Sequence, residues 1–399
     1  MTSPGTLLGL SAVGFALLWG VMLVNGTLDG ISSVAENAEF PDGRPLRTDY
    51  TGYPLIDNNI VVVIAFFDLL SNAKAGAPQW LFFYLGNILG VIDTWVLVES
   101  RRRGVRNLFL RHTIIFIWLW NLGGAAFVTP IYFYFIARSG CTDRDATIPL
   151  NEVRGLPPTV VANALFPLFL FYPAWSGWSA YDHQGYIGLY HFTPMLMIVT
   201  VVTFSRPGTT LTIFASPKNK DAPNEDAPWV VASYVATGVI SAAVHVYVVA
   251  AAMLQLPAGS SSLSLSRLFV PAPRNVLAAP RGSYEALLEG AHLFTQLDYL
   301  VLSATCVVFT HHMLQKASRG RSSGGNRELA WIIFGTILLG PAAAGSFAFA
   351  VREKRLRGEE PLPRGEPEKS ARGIFEPSPS PLAYKSKLNS VLKNAVHDY

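Results

Sequence analysis

Residues 290–312 read GAHLFTQLDYLVLSATCVVFTHH. The run is apolar over about 20 residues, the length a helix needs to cross the hydrocarbon core of a bilayer. Near its start it carries a carboxyl group, Asp298. An ionisable side chain inside such a helix is costly and by default marks a functional site. The alternative is a structural acid, close to the interface or paired with a neighbouring helix. The rest of the chain has to be weighed against both.

The 399 residues are 50% hydrophobic and 15% charged, where a soluble domain has about 25% charged residues. With a mean hydropathy of +0.32, this composition belongs to a polytopic membrane protein. The chain holds 24 Phe, 15 Tyr and 9 Trp, a large stock of π faces. Its net charge of +4 lies mostly in loops and tail, which fits positive-inside topology and not nucleic-acid binding. Two cysteines, Cys141 and Cys306, make no disulfide framework. The first residues, MTSPG, lack a positive n-region, so the first apolar run predicts a retained helix and not a cleaved signal.

Nine runs qualify as candidate spans: 6–25, 58–73, 79–99, 112–137, 158–174, 186–205, 228–254, 292–314 and 330–350. The second is short and the fifth is rich in proline, so either could be re-entrant. The expected fold is all-α, a polytopic membrane helical bundle of about 8–9 transmembrane helices. The bundle occupies 1–350. Residues 351–399, rich in Pro, Glu, Ser and basic residues, predict a disordered cytosolic tail. Orientation follows the basic loops. RRRGVRNLFLR at 101–111 and the tail both belong on the cytosolic side, which nine spans with a lumenal N-terminus allow. KASRGRSSGGNR at 316–327 breaks the rule in that arrangement.

Depth along these helices, at about 1.5 Å per residue, places Asp298 and His245 in the same half of the bilayer. Asp93 and Glu99 fall at the same end, Asp57 opens the second span, and Asp49 precedes it. This clustering predicts a cavity lined by acids, imidazoles and aromatic rings. Bland readings stand beside it. Glu99 serves equally well as an interfacial anchor beside the arginine run, and Asp57 as a helix N-cap. His191 reads as a helix–helix contact before it reads as a catalyst. Asp68 and Asp93 stay open, because a short second span leaves their depth undefined. For Asp298 and His245 the functional reading leads, since both lie in long apolar runs free of basic residues.

Several chemistries lack their signatures. There are no histidine iron boxes, no aspartate-rich motif for Mg²⁺-diphosphate, no GxSxG and no P-loop. What remains suits a proton-initiated cyclisation of an isoprenoid chain. The apolar substrate arrives from the bilayer lipid. A buried acid, kept protonated by low dielectric, gives its proton to an epoxide or olefin. Aromatic faces stabilise the travelling cation, exclusion of water delays quenching, and a His or carboxylate base ends the cascade. Such a reaction needs no metal or organic cofactor. Composition alone leaves two alternatives open, a transporter of an apolar metabolite and a non-catalytic membrane protein.

Six phrases narrow the choice. They are LRTDYTGYPLIDNNIVVVIAFF (46–67), VLVESRRRGVRN (96–107), TPIYFYF (129–135), GYIGLYHFTP (185–194), VHVYV (244–248) and TQLDYLVLSA (295–304). In this order they resemble fungal integral-membrane terpene cyclases of meroterpenoid biosynthesis, the ascochlorin/ascofuranone type in particular. The resemblance implies an isomerase-type cyclisation of a prenylated, epoxidised precursor in an endoplasmic-reticulum membrane, within secondary metabolism. It also implies that the catalytic carboxyls lie among Asp49, Asp57, Glu99 and Asp298, with His245 as base or orienting partner.

Overall fold

In a computed structural model, residues 3–72, 76–205, 224–256, 263–318 and 325–358 are described. They fall in a unit spanning Met1–Glu360; a second unit, Pro361–Tyr399, lies outside the described residues, and with it most of the expected tail. The described chain is all helix and contains no strand, only one isolated bridge between Glu39 and Pro45. The last helix runs on to Leu356, past the expected bundle boundary at 350.

The apolar runs become long rods: α1 (Gly5–Val24, with a π turn at Ala16–Gly20), α2 (Thr27–Asn37), α3 (Pro54–Ser71) and α4 (Ala77–Arg101). After a helical hairpin come α7 (Leu150–Trp175), the bent pair α8 (Ala180–Tyr190) and α9 (Thr193–Ser205), and α10 (Ala227–Met253). The longest, α11 (Tyr284–Ala317), runs through the middle and touches most of the others. Six described helices are long and apolar enough to cross a membrane, or seven if the bent pair counts as one span.

Two of the nine expected spans fold back as hairpins. Run 112–137 breaks into α5 (Thr113–Gly123) and α6 (Ala125–Ser139). These lie antiparallel: the Phe116 and Tyr132 rings are 4.1 Å apart, and the Tyr132 hydroxyl donates to the Leu110 carbonyl at 2.8 Å. Run 330–350 breaks into α12 (Gly325–Leu339) and α13 (Pro341–Leu356). Here Arg355 pairs with Glu328 at 2.6 Å, again joining the far ends of an antiparallel hairpin. The reason is the same in both. Each turn residue is a glycine with positive φ, +86° at Gly124 and +88° at Gly340, a conformation that side chains resist. Space forbids a side chain as well. A Cβ on Gly124 would meet Leu18 at 2.6 Å, and one on Gly340 would meet the Tyr84 hydroxyl at 2.4 Å.

At one end of the bundle, buried charges tie the frame together. Glu99 accepts from Arg102 at 2.9 Å and Arg352 at 2.7 Å. Arg102 also pairs with Glu353 at 2.7 Å. Arg357 bridges Glu353 and Asp226, both at 2.7 Å. Three acids face three arginines, so the cluster is neutral, and each acid is met by more than one donor. Aromatic packing fills the layer above. Phe133 stacks on Phe309 at 3.8 Å, and the Trp95 indole donates to the Ser346 hydroxyl at 2.8 Å.

Removing one partner from a buried ion cluster costs about 3–5 kcal/mol, because the remaining charge stays buried. Glu99→Gln is therefore expected to lower the melting temperature in detergent sharply, and an unchanged melting curve would remove the network from the frame. Gly124→Ala should also destabilise, by about 1–3 kcal/mol for the strained backbone alone, and by more than Gly123→Ala. Equal effects of the two alanines in the same melting assay would contradict the turn assignment.

Candidate active site

A turn inside an apolar bundle frees backbone groups that no water can reach. At the Gly124 turn, side chains from two other helices meet them. The Trp19 indole donates to the Gly123 carbonyl at 2.9 Å. The Ala126 amide, in the first turn of α6, donates to Asp298 Oδ1 at 2.5 Å. Asp298 thus caps the N-terminal end of α6 with one carboxyl oxygen, supplied from α11.

Beside this contact lies a partly open apolar chamber. Its walls come from α1, α2, α3, α4, the hairpin tip and α11. Six aromatic residues line it: Trp19, Phe66, Phe67, Phe82, Trp120 and Phe294. They pack edge to face, Phe66 on Phe294 and Phe67 on Phe82, each pair 5.0 Å apart. Its polar lining is sparse. Asn121 Nδ2 donates to the Ile117 carbonyl and the Thr295 hydroxyl donates to the Ala291 carbonyl, so both are tied to their own helices. Asp298, 4% exposed, is the one ionisable residue in the lining. Leu122, 53% exposed, is also part of the lining.

The other predicted site residues lie elsewhere. His245 is not in the chamber lining. Its Nδ1 accepts from the Tyr84 hydroxyl at 2.7 Å, and its Nε2 faces the Ile337 carbonyl at 3.3 Å. That carbonyl would normally take the amide hydrogen of residue 341, which is proline and has none. His245 therefore meets the second hairpin turn as Asp298 meets the first. Glu99, 1% exposed, belongs to the ion cluster at the end of α4. Asp57 closes its own loop, accepting from Thr51 N at 2.9 Å, the Thr51 hydroxyl at 2.7 Å and Gly52 N at 3.0 Å; the N-cap position belongs to Tyr53. The Asp49 side chain is 75% exposed and lies 3.8 Å from Arg47. Asp68 is buried against Arg44 at 2.9 Å and His183 at 3.4 Å. The five predicted residues do not converge on one cavity.

Sequence reasoning missed the hairpin tip, which supplies both a wall of the chamber and the partner of its acid. The signal was present in NLGGAAFVTP (121–130), where two glycines and a proline interrupt an apolar run. Among the described residues, no group of three or more His, Cys, Asp or Glu side chains is placed to hold a metal ion.

Comparison with known proteins now adds to this geometry. The CtvD domain matches residues 4–357. A protein of Fusarium langsethiae named terpene cyclase DEP1 is 36% identical over 369 residues, covering 89% of this chain and 99% of its own. Its namesake in Alternaria brassicicola is 36% identical over 372 residues, with the same coverage. A protein of Emericella nidulans named terpene cyclase alnG is 24% identical over 360 residues, 86% of this chain and 92% of its own. No solved structure matches. With nearly the whole described bundle inside the match, the chain belongs to the CtvD domain family, among fungal proteins named as terpene cyclases.

Proposed function

We propose that this protein is a membrane-embedded cyclase of fungal secondary metabolism, in which Asp298 starts the reaction by protonating an epoxide on a prenylated precursor. The observation that carries the proposal is the setting of Asp298, a lone carboxyl in an aromatic chamber with a helix N-terminus behind it. A proton leaving the carboxyl for an epoxide oxygen breaks one C–O bond and leaves a carbocation. Olefin electrons attack that cation and close rings, and the aromatic walls stabilise the positive charge as it moves. The Asp298 carboxylate left behind is met by the Ala126 amide, which is already in place. Such preorganised donors lower the cost of charge that develops during a reaction.

The apolar lining with an exposed Leu122 supports an apolar substrate entering from the lipid, and the long apolar helices support a multi-pass protein of the endoplasmic-reticulum membrane. Loss of a terminal proton gives a product with the atoms of the substrate, which is isomerase chemistry. A second reading has one observation in its favour. Paired helix breaks inside a bundle also occur in transporters, and among the described residues two apolar runs fold back at a glycine. Flux of an apolar metabolite into vesicles, with no covalent change, would support that reading, whereas mass-neutral conversion in microsomes supports the cyclase.

Asp298→Asn is expected to cut conversion of a terminal epoxide by about 10²–10⁴-fold, the usual contribution of a general acid, while the protein still accumulates in microsomes. Full turnover by this variant would remove Asp298 from the mechanism. Trp120→Leu, which takes one ring from the wall, should slow conversion about 2- to 30-fold, the effect of about 0.5–2 kcal/mol of cation–π stabilisation. A single-turnover assay reads this directly, and no slowing would mean that the cation never passes that wall.

A further inference from the structure

His191 follows the last residue of α8, at the 54° bend that leads into α9. Its Nδ1 lies 2.9 Å from the Ile187 carbonyl oxygen. A carbonyl only accepts, so Nδ1 carries the hydrogen and the neutral ring leaves a bare lone pair on Nε2. That nitrogen is shut off from solvent and has no hydrogen-bond partner. Nearly all buried polar atoms find partners, and the exceptions call for an explanation. The surrounding backbone is held as well, since the Trp118 indole donates to the His191 carbonyl at 2.9 Å.

One aromatic ring separates this nitrogen's imidazole from the chamber. Phe67 lines the chamber, and its ring centre is 5.0 Å from that of His191, inclined by 39°. A second polar atom lies in the same region. Asp93 stands one helical turn beyond Leu89, another lining residue. Its Oδ1 is also buried without a partner, and the residue is within electrostatic reach of Tyr190, the neighbour of His191. The chamber wall at Phe67 and Leu89 therefore backs onto a polar pole separate from Asp298.

We infer that Nε2 of His191 is the base that ends the cyclisation, and that Phe67 is the ring that keeps it from acting too soon. The inference rests on the cyclase reading. The last cation loses a C–H proton to the Nε2 lone pair, and the C–H electron pair becomes the new C=C bond. The enzyme is left with an imidazolium at His191 and a carboxylate at Asp298, one proton transfer from its resting state. A base in open contact with the chamber would deprotonate the first cation formed. With Phe67 between them, the cation meets a π face first, and the base is reached when the Phe67 ring turns aside.

The test uses the full chain in microsomes, with a farnesylated phenol bearing a terminal epoxide as the probe, and follows both epoxide consumption and product pattern by mass spectrometry. His191→Gln keeps an amide that can donate to Ile187 but has no basic nitrogen. It is expected to go on consuming the epoxide while a single olefin gives way to a mixture of olefin isomers and water adducts. Phe67→Leu removes the ring and keeps the position apolar, and should shift products toward fewer rings. An unchanged product pattern in His191→Gln overturns the inference at any rate of turnover. Should that variant fail to accumulate, an unchanged ring count in Phe67→Leu overturns it instead. Asp298→Asn separates the two levels: continued epoxide consumption there removes Asp298 from the mechanism, loss of all mass-neutral conversion in the unaltered protein sinks the cyclase reading, and the His191→Gln pattern decides the base.

Discussion

A helix that turns inside a greasy bundle exposes amide and carbonyl groups that need partners, and only protein can supply them. This requirement organises the molecule. The Gly124 turn is met by Asp298 and Trp19, and the Gly340 turn by His245, whose imidazole is oriented in turn by Tyr84. Asp298 and His245, both sunk in long apolar helices, lie where other helices stop. Because both turns need glycine and foreign side chains together, neither hairpin can be understood from its own sequence.

The same contact links framework and chemistry at the Gly124 turn. The hydrogen bond that caps α6 also fixes the carboxyl of Asp298 at the chamber wall. A carboxyl held only by packing could rotate away from a substrate. One that is bonded to a rigid helix end keeps its place, and supporting contacts of this kind are what positions a functional group to a fraction of an ångström. The ion cluster around Glu99 has no such double part. It lies at the end of α4 and joins α4, α13 and the start of α10.

Much of this was legible in the sequence. Composition and run length pointed to an all-helical membrane bundle, and the cost of burying a charge singled out Asp298. Depth along a helix, however, says nothing about azimuth. Run positions placed His245 at the depth of Asp298, yet it faces Tyr84 and the second turn. Glu99 sits beside an arginine run in the sequence, but its second arginine, Arg352, comes from 253 residues further on. Hydropathy averages across a break, so two folded hairpins looked like two straight spans. The sequence read His191 as a helix–helix contact; its Nδ1 instead meets the Ile187 carbonyl of its own helix, and that its other nitrogen is left without a partner needs three dimensions to see.

The bond between Ala126 and Asp298 spans 172 positions of chain. A ribosome therefore finishes the α5–α6 hairpin long before it makes the residue that satisfies the hairpin's tip. Until α11 arrives, the amides at that tip have to stay in contact with water or with a temporary partner, because burying them bare is expensive. Assembly consequently has a direction: the tip of the α5–α6 hairpin seats late, once α11 is made. The hollow beside it takes its final form only when the acid-bearing helix arrives, so the cavity and its carboxyl come into being in a single event.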